Sequence, residues 1–183
     1  MRLITTQSII ALQTLLNGNI YKSDFYHIIN PISEKTDCDE AARIQAYQLL
    51  MKHYRYKNPP IFCFMKNSLV NFSDTYRAKN MVLLELEVPD YLVNEHLYIR
   101  WTEILYSMIR KEWTDELYEE YIWYLDGMGV NGDEVIQVVI PYIEPRWLAK
   151  AYKIKKNFLD LYDNQTFLDK ISEKVIYKNG AYL

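Results

Sequence analysis

The stretch M-V-L-L-E-L-E-V-P-D, Met81 to Asp90, decides how the rest of the chain is read. Val82, Leu84, Leu86 and Val88 fall on one side of an extended backbone, and Glu85 and Glu87 on the other. That period of two is the mark of a half-covered strand. Pro89 and Asp90 close it. Two further apolar runs join it as strands: Ile61 to Met65, read as buried, and Val135 to Ile140, whose β-branched residues are interrupted only by Gln137 and suit a central position. Arg2 to Thr5 reads as a short opening strand.

The segments between these strands repeat at helical spacing. One helix is expected from about Thr6, with Ile9, Leu12 and Leu16 on a face and Asn17-Gly18 as its stop signal. A second is expected to start at Asp37, with Glu40 three residues on, and to run through Ile44, Tyr47, Met51 and Tyr54 until Asn58-Pro59-Pro60 ends it. Leu97, Trp101, Ile104 or Leu105, and Met108 mark a third, and Leu117, Tyr121 and Leu125 a fourth that begins near Thr114. Gly127, Gly129 and Gly132 then break the chain. Pro145 sits where a first helical turn favours proline, so a helix carrying Trp147, Ala151, Ile154 and Phe158 is expected, and a last one over Gln165 to Tyr177. This order of elements predicts an α+β fold, a small mixed sheet covered by several amphipathic helices, in one domain over 1–183.

Composition agrees with a compact domain: of 183 residues 50% are apolar and 25% charged, a balance that argues against disorder. Cys38 and Cys63 share no metal or disulfide spacing and read as free thiols of a reducing compartment. Thr5 to Ser8 interrupt the opening apolar residues before a signal-peptide core could form, and no stretch has the length of a membrane span. A cytoplasmic protein without a membrane partner is expected.

The formal net charge of −3 conceals blocks of opposite sign. In order, residues 1–40 carry −2, 41–79 carry +6, 81–145 carry −11, 146–158 carry +5 and the remainder −1. Placed on a helix, Arg146, Lys150 and Lys153 fall at i, i+4 and i+7. Lys155 and Lys156 extend the segment, and Trp147 and Tyr152 stand beside the cations. Evenly spaced cations meet successive phosphates, and aromatic rings stack on unpaired bases. Arg43, Lys52, His53, Arg55 and Lys57, interleaved with Tyr54 and Tyr56, form a similar segment. Both are expected to bind RNA, and the acidic residues of 81–144 to face a basic protein surface.

Glu85, Glu87 and Asp90 are the candidate catalytic residues. Two carboxylates on one strand face and a third past its end could surround Mg²⁺ for phosphodiester cleavage. His27, His53 and His96 could serve a metal-free ribonuclease, although no spacing pairs them. The chain has no phosphate-cradling glycine loop, no nucleophile elbow and no His/Cys metal cluster, which disfavours most familiar enzyme classes.

Three segments together resemble a known grouping. The opening T-T-Q-S with its helix ending N-G-N-I-Y (Thr5 to Tyr21), the Met81 to Asp90 strand, and V-I-Q-V-V-I-P-Y-I-E-P-R-W-L (Val135 to Leu148) are similar to an uncharacterised bacterial and phage domain family of similar length. The resemblance implies a fold and an accessory, counter-defence role such as anti-CRISPR activity, and brings no catalytic residue with it. A fainter similarity in layout is to ADP-ribosyltransferases, which would place Glu134 or Gln137 in a late-strand catalytic region and imply NAD as cofactor, although no His or Arg of the usual kind stands in the first strand. The expectation is therefore a phage or mobile-element protein that engages RNA or an RNA-loaded effector such as a CRISPR nuclease, by inhibition or by cleavage of the guide RNA. An NAD-dependent transferase and a purely structural protein-interaction domain are the alternatives.

Overall fold

The computed structural model describes residues 1–26, 40–66, 81–125, 136–154, 172–178 and 180–182. In chain order the elements are β1 (Arg2–Ser8), α1 (Ile9–Leu16), α2 (Glu40–Tyr54), β2 (Ile61–Met65), β3 (Met81–Glu87), β4 (Asn94–Leu97), α3 (Tyr98–Ile109), α4 (Asp115–Leu125), β5 (Ile136–Ile140), β6 (Leu148–Ile154), β7 (Ser172–Lys178) and β8 (Ala181–Tyr182). The fold is α+β, and no helix among the described residues is long and apolar enough to cross a membrane. Contacts gather into two compact units: Met1–Tyr21 with Cys63–Val93 and Tyr142–Leu183, and Lys22–Phe62 with Asn94–Pro141.

The first unit is built on an antiparallel sheet in the order β2, β1, β3, β6, β7, β8. β1 and β3 pair along their whole length, from Arg2 opposite Glu87 to Ser8 opposite Met81. Leu3, Ile4, Leu83, Leu84 and Leu86 are fully buried there, each contributing about 1.5–3 kcal/mol. β3 is thus covered on both faces, where its alternation predicted one. Glu85, expected on an open face, is buried. β1 runs to Ser8 and passes directly into α1, which buries Ala11, Leu12 and Leu15. Gly18, with φ +78°, ends that helix as its sequence predicts; its N–H donates to the Leu15 carbonyl and that of Asn19 to Thr14.

Two expected helices are corrected. Pro145–Trp147 is a single 3₁₀ turn, after which Leu148–Ile154 is a strand held between β3 and β7. Ser172–Lys178, assigned to the end of the last helix, is a strand as well. The physical reason lies in β6. A strand covered on both faces buries Leu148, Ala151, Tyr152 and Ile154 together, so its apolar residues lose the period of two and mimic a helical stripe. The remainder of those two predicted helices, with Phe158, Leu168 and Ile171, lies outside the described residues, as do Asp37 and the glycines after α4.

The second unit packs α2 against α3. Ala42, Ala46, Leu49, Leu50, Trp101, Ile104, Met108 and Leu125 form its core, with Tyr47, Phe62 and Tyr118 packed against it. The apolar stripe of α2 is therefore centred on Ala46 and Leu50 more than on the Ile44 and Met51 positions expected. β4, which the sequence did not signal, pairs with β5 so that His96 lies directly opposite Gln137.

Both long helices of this unit end in the same geometry as α1, on residues other than glycine. Arg55 (φ 57°) and Lys111 (φ 61°) occupy the left-handed position, with Tyr56 N–H donating to Met51 O and Glu112 N–H to Ser107 O. A side chain there costs about 1–2 kcal/mol that glycine avoids. Lys111→Gly is expected to raise stability by about 0.5–1 kcal/mol after its larger unfolded-state entropy is counted, read from the denaturant midpoint.

Candidate functional site

The pairing around β3 concentrates charge on one face of the first unit's sheet. Side chains alternate along a strand, and partners in register share a face. Arg2, Lys66, Glu85, Glu87, Lys150 and Lys178 consequently project to the same side, four cations against two carboxylates. Glu85 is the inner member of the group, at 4% exposure. Lys66 Nζ donates to its Oε1 at 2.8 Å and the Tyr152 hydroxyl to its Oε2 at 2.8 Å. Lys150 Nζ stands farther off, 3.9 Å from Oε2. Burial would raise the Glu85 carboxyl, but the hydrogen bonds from Lys66 and Tyr152 and the charges of Lys66 and Lys150 outweigh it and hold it below the usual range. The carboxylate is therefore ionised at neutral pH and cannot act as a proton donor there.

Farther along the ladder, lysines stand opposite lysines. Lys150 pairs in register with Lys178, and Lys153 with Lys174. Like charges directly opposite one another destabilise a sheet by a few tenths of a kcal/mol up to about 1. Only Glu173, 3.3 Å from Lys153, offsets them among the described residues of these two strands.

No protein family, curated protein or solved structure matches the chain.

The other expected residues are distributed as follows. Glu87 shares the face of Glu85 but pairs with Arg2 at 3.2 Å, and Asp90 takes the Met1 ammonium at 2.7 Å. Each carboxylate thus has its own cation, and among the described residues no group of three His, Cys, Asp or Glu side chains could hold a metal. Arg146 pairs with Glu144. Trp147 is buried and stacked on Tyr142 at 5.3 Å, and Tyr152 is buried on Glu85, so neither ring is placed to stack on a base. The i, i+4, i+7 stripe does not exist on a strand, which sends Lys150 and Lys153 to opposite sides. Lys155 and Lys156 lie outside the described residues.

Arg43, Lys52, His53, Arg55 and Lys57 belong to the second unit. Lys52 sits over the Tyr118 ring at 5.2 Å, while Arg55 and Lys57 are exposed. The tyrosines between them turn inward. Tyr56 donates to the Val139 carbonyl, and Asn94 donates to the Tyr56 hydroxyl at 2.6 Å. Tyr54 bonds His96 Nδ1 at 3.2 Å, and His96 Nε2 donates to Gln137 Oε1 at 3.0 Å. Gln137 as acceptor fixes the proton on Nε2, so Nδ1 accepts from Tyr54. Burial is the main cause that pushes His96 down to about 4, against the Gln137 hydrogen bond. Gln137, a candidate under the transferase reading, is committed to this buried bond, and Glu134 and His27 lie outside the described residues.

Cys63 is buried and its thiol is pushed up to about 12 by burial, so it supplies no thiolate nucleophile at neutral pH. Cys38 is not among the described residues. Sequence reasoning missed Lys66, Lys174 and Lys178. Lys174 lies in a segment read as helix over 165–177 and Lys178 just past its end, and Lys66 joins them only through strand pairing, so no local pattern signalled the group.

Proposed function

We propose that the first unit binds the phosphate backbone of RNA through the β6–β7 ladder, and that the protein acts in the cytoplasm as a counter-defence accessory engaging RNA or an RNA-loaded effector. The observation that carries this reading is the in-register opposition of Lys150 to Lys178 and of Lys153 to Lys174. The two repulsive pairs, one on each face of the ladder, weaken the sheet on their own, and a polyanion laid along a face converts the repulsion there into attraction. The exposed Glu116, Glu119 and Glu120 at the start of α4 remain available to the basic surface that an RNA-binding effector presents. The committed carboxylates favour binding over metal-assisted cleavage.

Fluorescence anisotropy with a labelled single-stranded oligouridylate tests the reading. The two lysine contacts of one face give a log–log salt slope of about −1.4, so a fourfold rise in salt weakens binding roughly sevenfold. Lys150→Glu, Lys153→Glu, Lys174→Glu and Lys178→Glu combined should abolish it. Retained binding in that variant overturns the proposal, as does a wild-type affinity that ignores salt. If the four lysines serve only to keep this part of the sheet soluble, RNA binding in the variant is unchanged and the proposal falls.

A further inference from the structure

We infer that Lys150 and Lys178 form a discrete subsite for an RNA phosphodiester, and that Glu85 is the internal counter-ion that sets its strength. The inference rests on the reading of this face as an RNA-binding surface and goes further by naming its phosphate subsite and its control.

Glu85 brings one negative charge to three lysines on its face. It spends its two oxygens on the short bonds from Lys66 and Tyr152, both at 2.8 Å. Lys150, at 3.9 Å, is at the outer limit of an ion pair and keeps its ammonium protons for another acceptor. Lys178 lies directly opposite Lys150, on the same side of the sheet, and has no ion-pair partner among the described residues. Side chains in register start about 4.5–5.5 Å apart, a span that one phosphate group bridges with two oxygens. The inner end of this pair is buried against Glu85, and the outer end is open, since Lys150 is 31% exposed and Lys178 is exposed.

This arrangement makes Lys66 a determinant of the subsite without placing it on the ligand. While Lys66 neutralises Glu85, Lys150 is free to serve a phosphate. Without Lys66, the carboxylate turns on Lys150 and competes with the ligand. Removing the Glu85 charge has the opposite effect, because both ammonium groups then face the ligand uncompensated.

The experiment is the same anisotropy titration on three single variants, each checked for native circular dichroism. Glu85→Gln keeps an acceptor for Tyr152 and should tighten binding about fivefold, which is what one unit charge near 4 Å is worth in water. It should also steepen the salt slope by about 0.7, one additional phosphate contact. Glu87→Gln removes the same charge from the same strand face, but from a residue paired with Arg2, and should change affinity little. Lys66→Gln should weaken binding and flatten the slope. An unchanged or weaker Glu85→Gln variant overturns the counter-ion role, as does an equal gain in Glu87→Gln, which would reduce the effect to net charge.

Should Glu85→Gln fail to fold, Lys66→Gln carries the test alone, and unaltered binding in it is the overturning result. A second readout does not depend on RNA: inorganic pyrophosphate followed through lysine ε-methylene NMR signals. It should move Lys150 and Lys178 and leave Lys153 in place, and uniform movement overturns the subsite. If RNA fails to bind while these two signals respond, the RNA reading falls and the phosphate subsite stands.

Discussion

Between pH 7 and pH 5 the protein is expected to lose about 2 kcal/mol of folding stability through His96 alone. In the folded chain burial presses this imidazole down to about 4 from an ordinary 6.5. The unfolded chain therefore takes up a proton first as the medium is acidified. Stability contributed by the neutral ring is fully present above pH 6.5 and is lost as pH falls through 6.5 towards 4, to a limit of about 3 kcal/mol. The loss reflects desolvation more than a missing hydrogen bond, because the Tyr54 hydroxyl can turn to accept from a protonated Nδ1. Urea denaturation at pH 7, 6 and 5 measures it. The control is His96→Gln, which has no ring to protonate. A slope over this window that survives the substitution assigns the acid sensitivity to another group.

Trp101→Ala is expected to cost about 3–5 kcal/mol, the range for removing a buried aromatic side chain. Trp101 is 6% exposed and stacks on Phe62, with centroids 5.3 Å apart and planes 27° apart. It also meets Tyr47 edge-on at 5.4 Å. Phe62 in turn meets the His96 ring at 6.0 Å, so the two residues share a neighbour. Truncating the indole should loosen the shell that keeps His96 dry and let its pKa climb back towards 6.5. The variant should therefore be both less stable at pH 7 and less sensitive to acid than the parent, a coupling that two independent sites would not show. Denaturant midpoints at the two pH values, for each variant and for the double variant, report it as a cycle.

These residues also mark how far the sequence could be read. Met81 to Glu87 announced its strand through alternation, and Gly18 announced a helix end through a property that only glycine supplies freely. Arg55 and Lys111 adopt the same turn with no such signal, since both are exposed and what closes each turn is a backbone hydrogen bond, Tyr56 N–H to Met51 O and Glu112 N–H to Ser107 O, that residue type does not announce. Glu85 looked like a solvated carboxylate because an alternating strand does not reveal what covers its second face. Its partners Lys66, Tyr152 and Lys150 come from three places in the chain, and only strand pairing brings them together. Leu148 to Ile154 was misread for the complementary reason: burial on both faces erased the period that would have identified it. The lysine opposition is a property of register, to which composition is blind.

The irregularity between β3 and β6 also constrains the length of the chain. Glu85 faces Lys150, yet the next residue, Leu86, faces Leu148, so Ala149 is the extra residue. That one residue shifts the phase of β6, and lets Leu148 enter the core with Leu86 while Lys150 stays beside the carboxylate. Deleting it would not shorten a loop. It would exchange inside for outside at one end of the strand, so descendants of this sequence have more freedom to change which residues occupy 148–154 than to change how many there are.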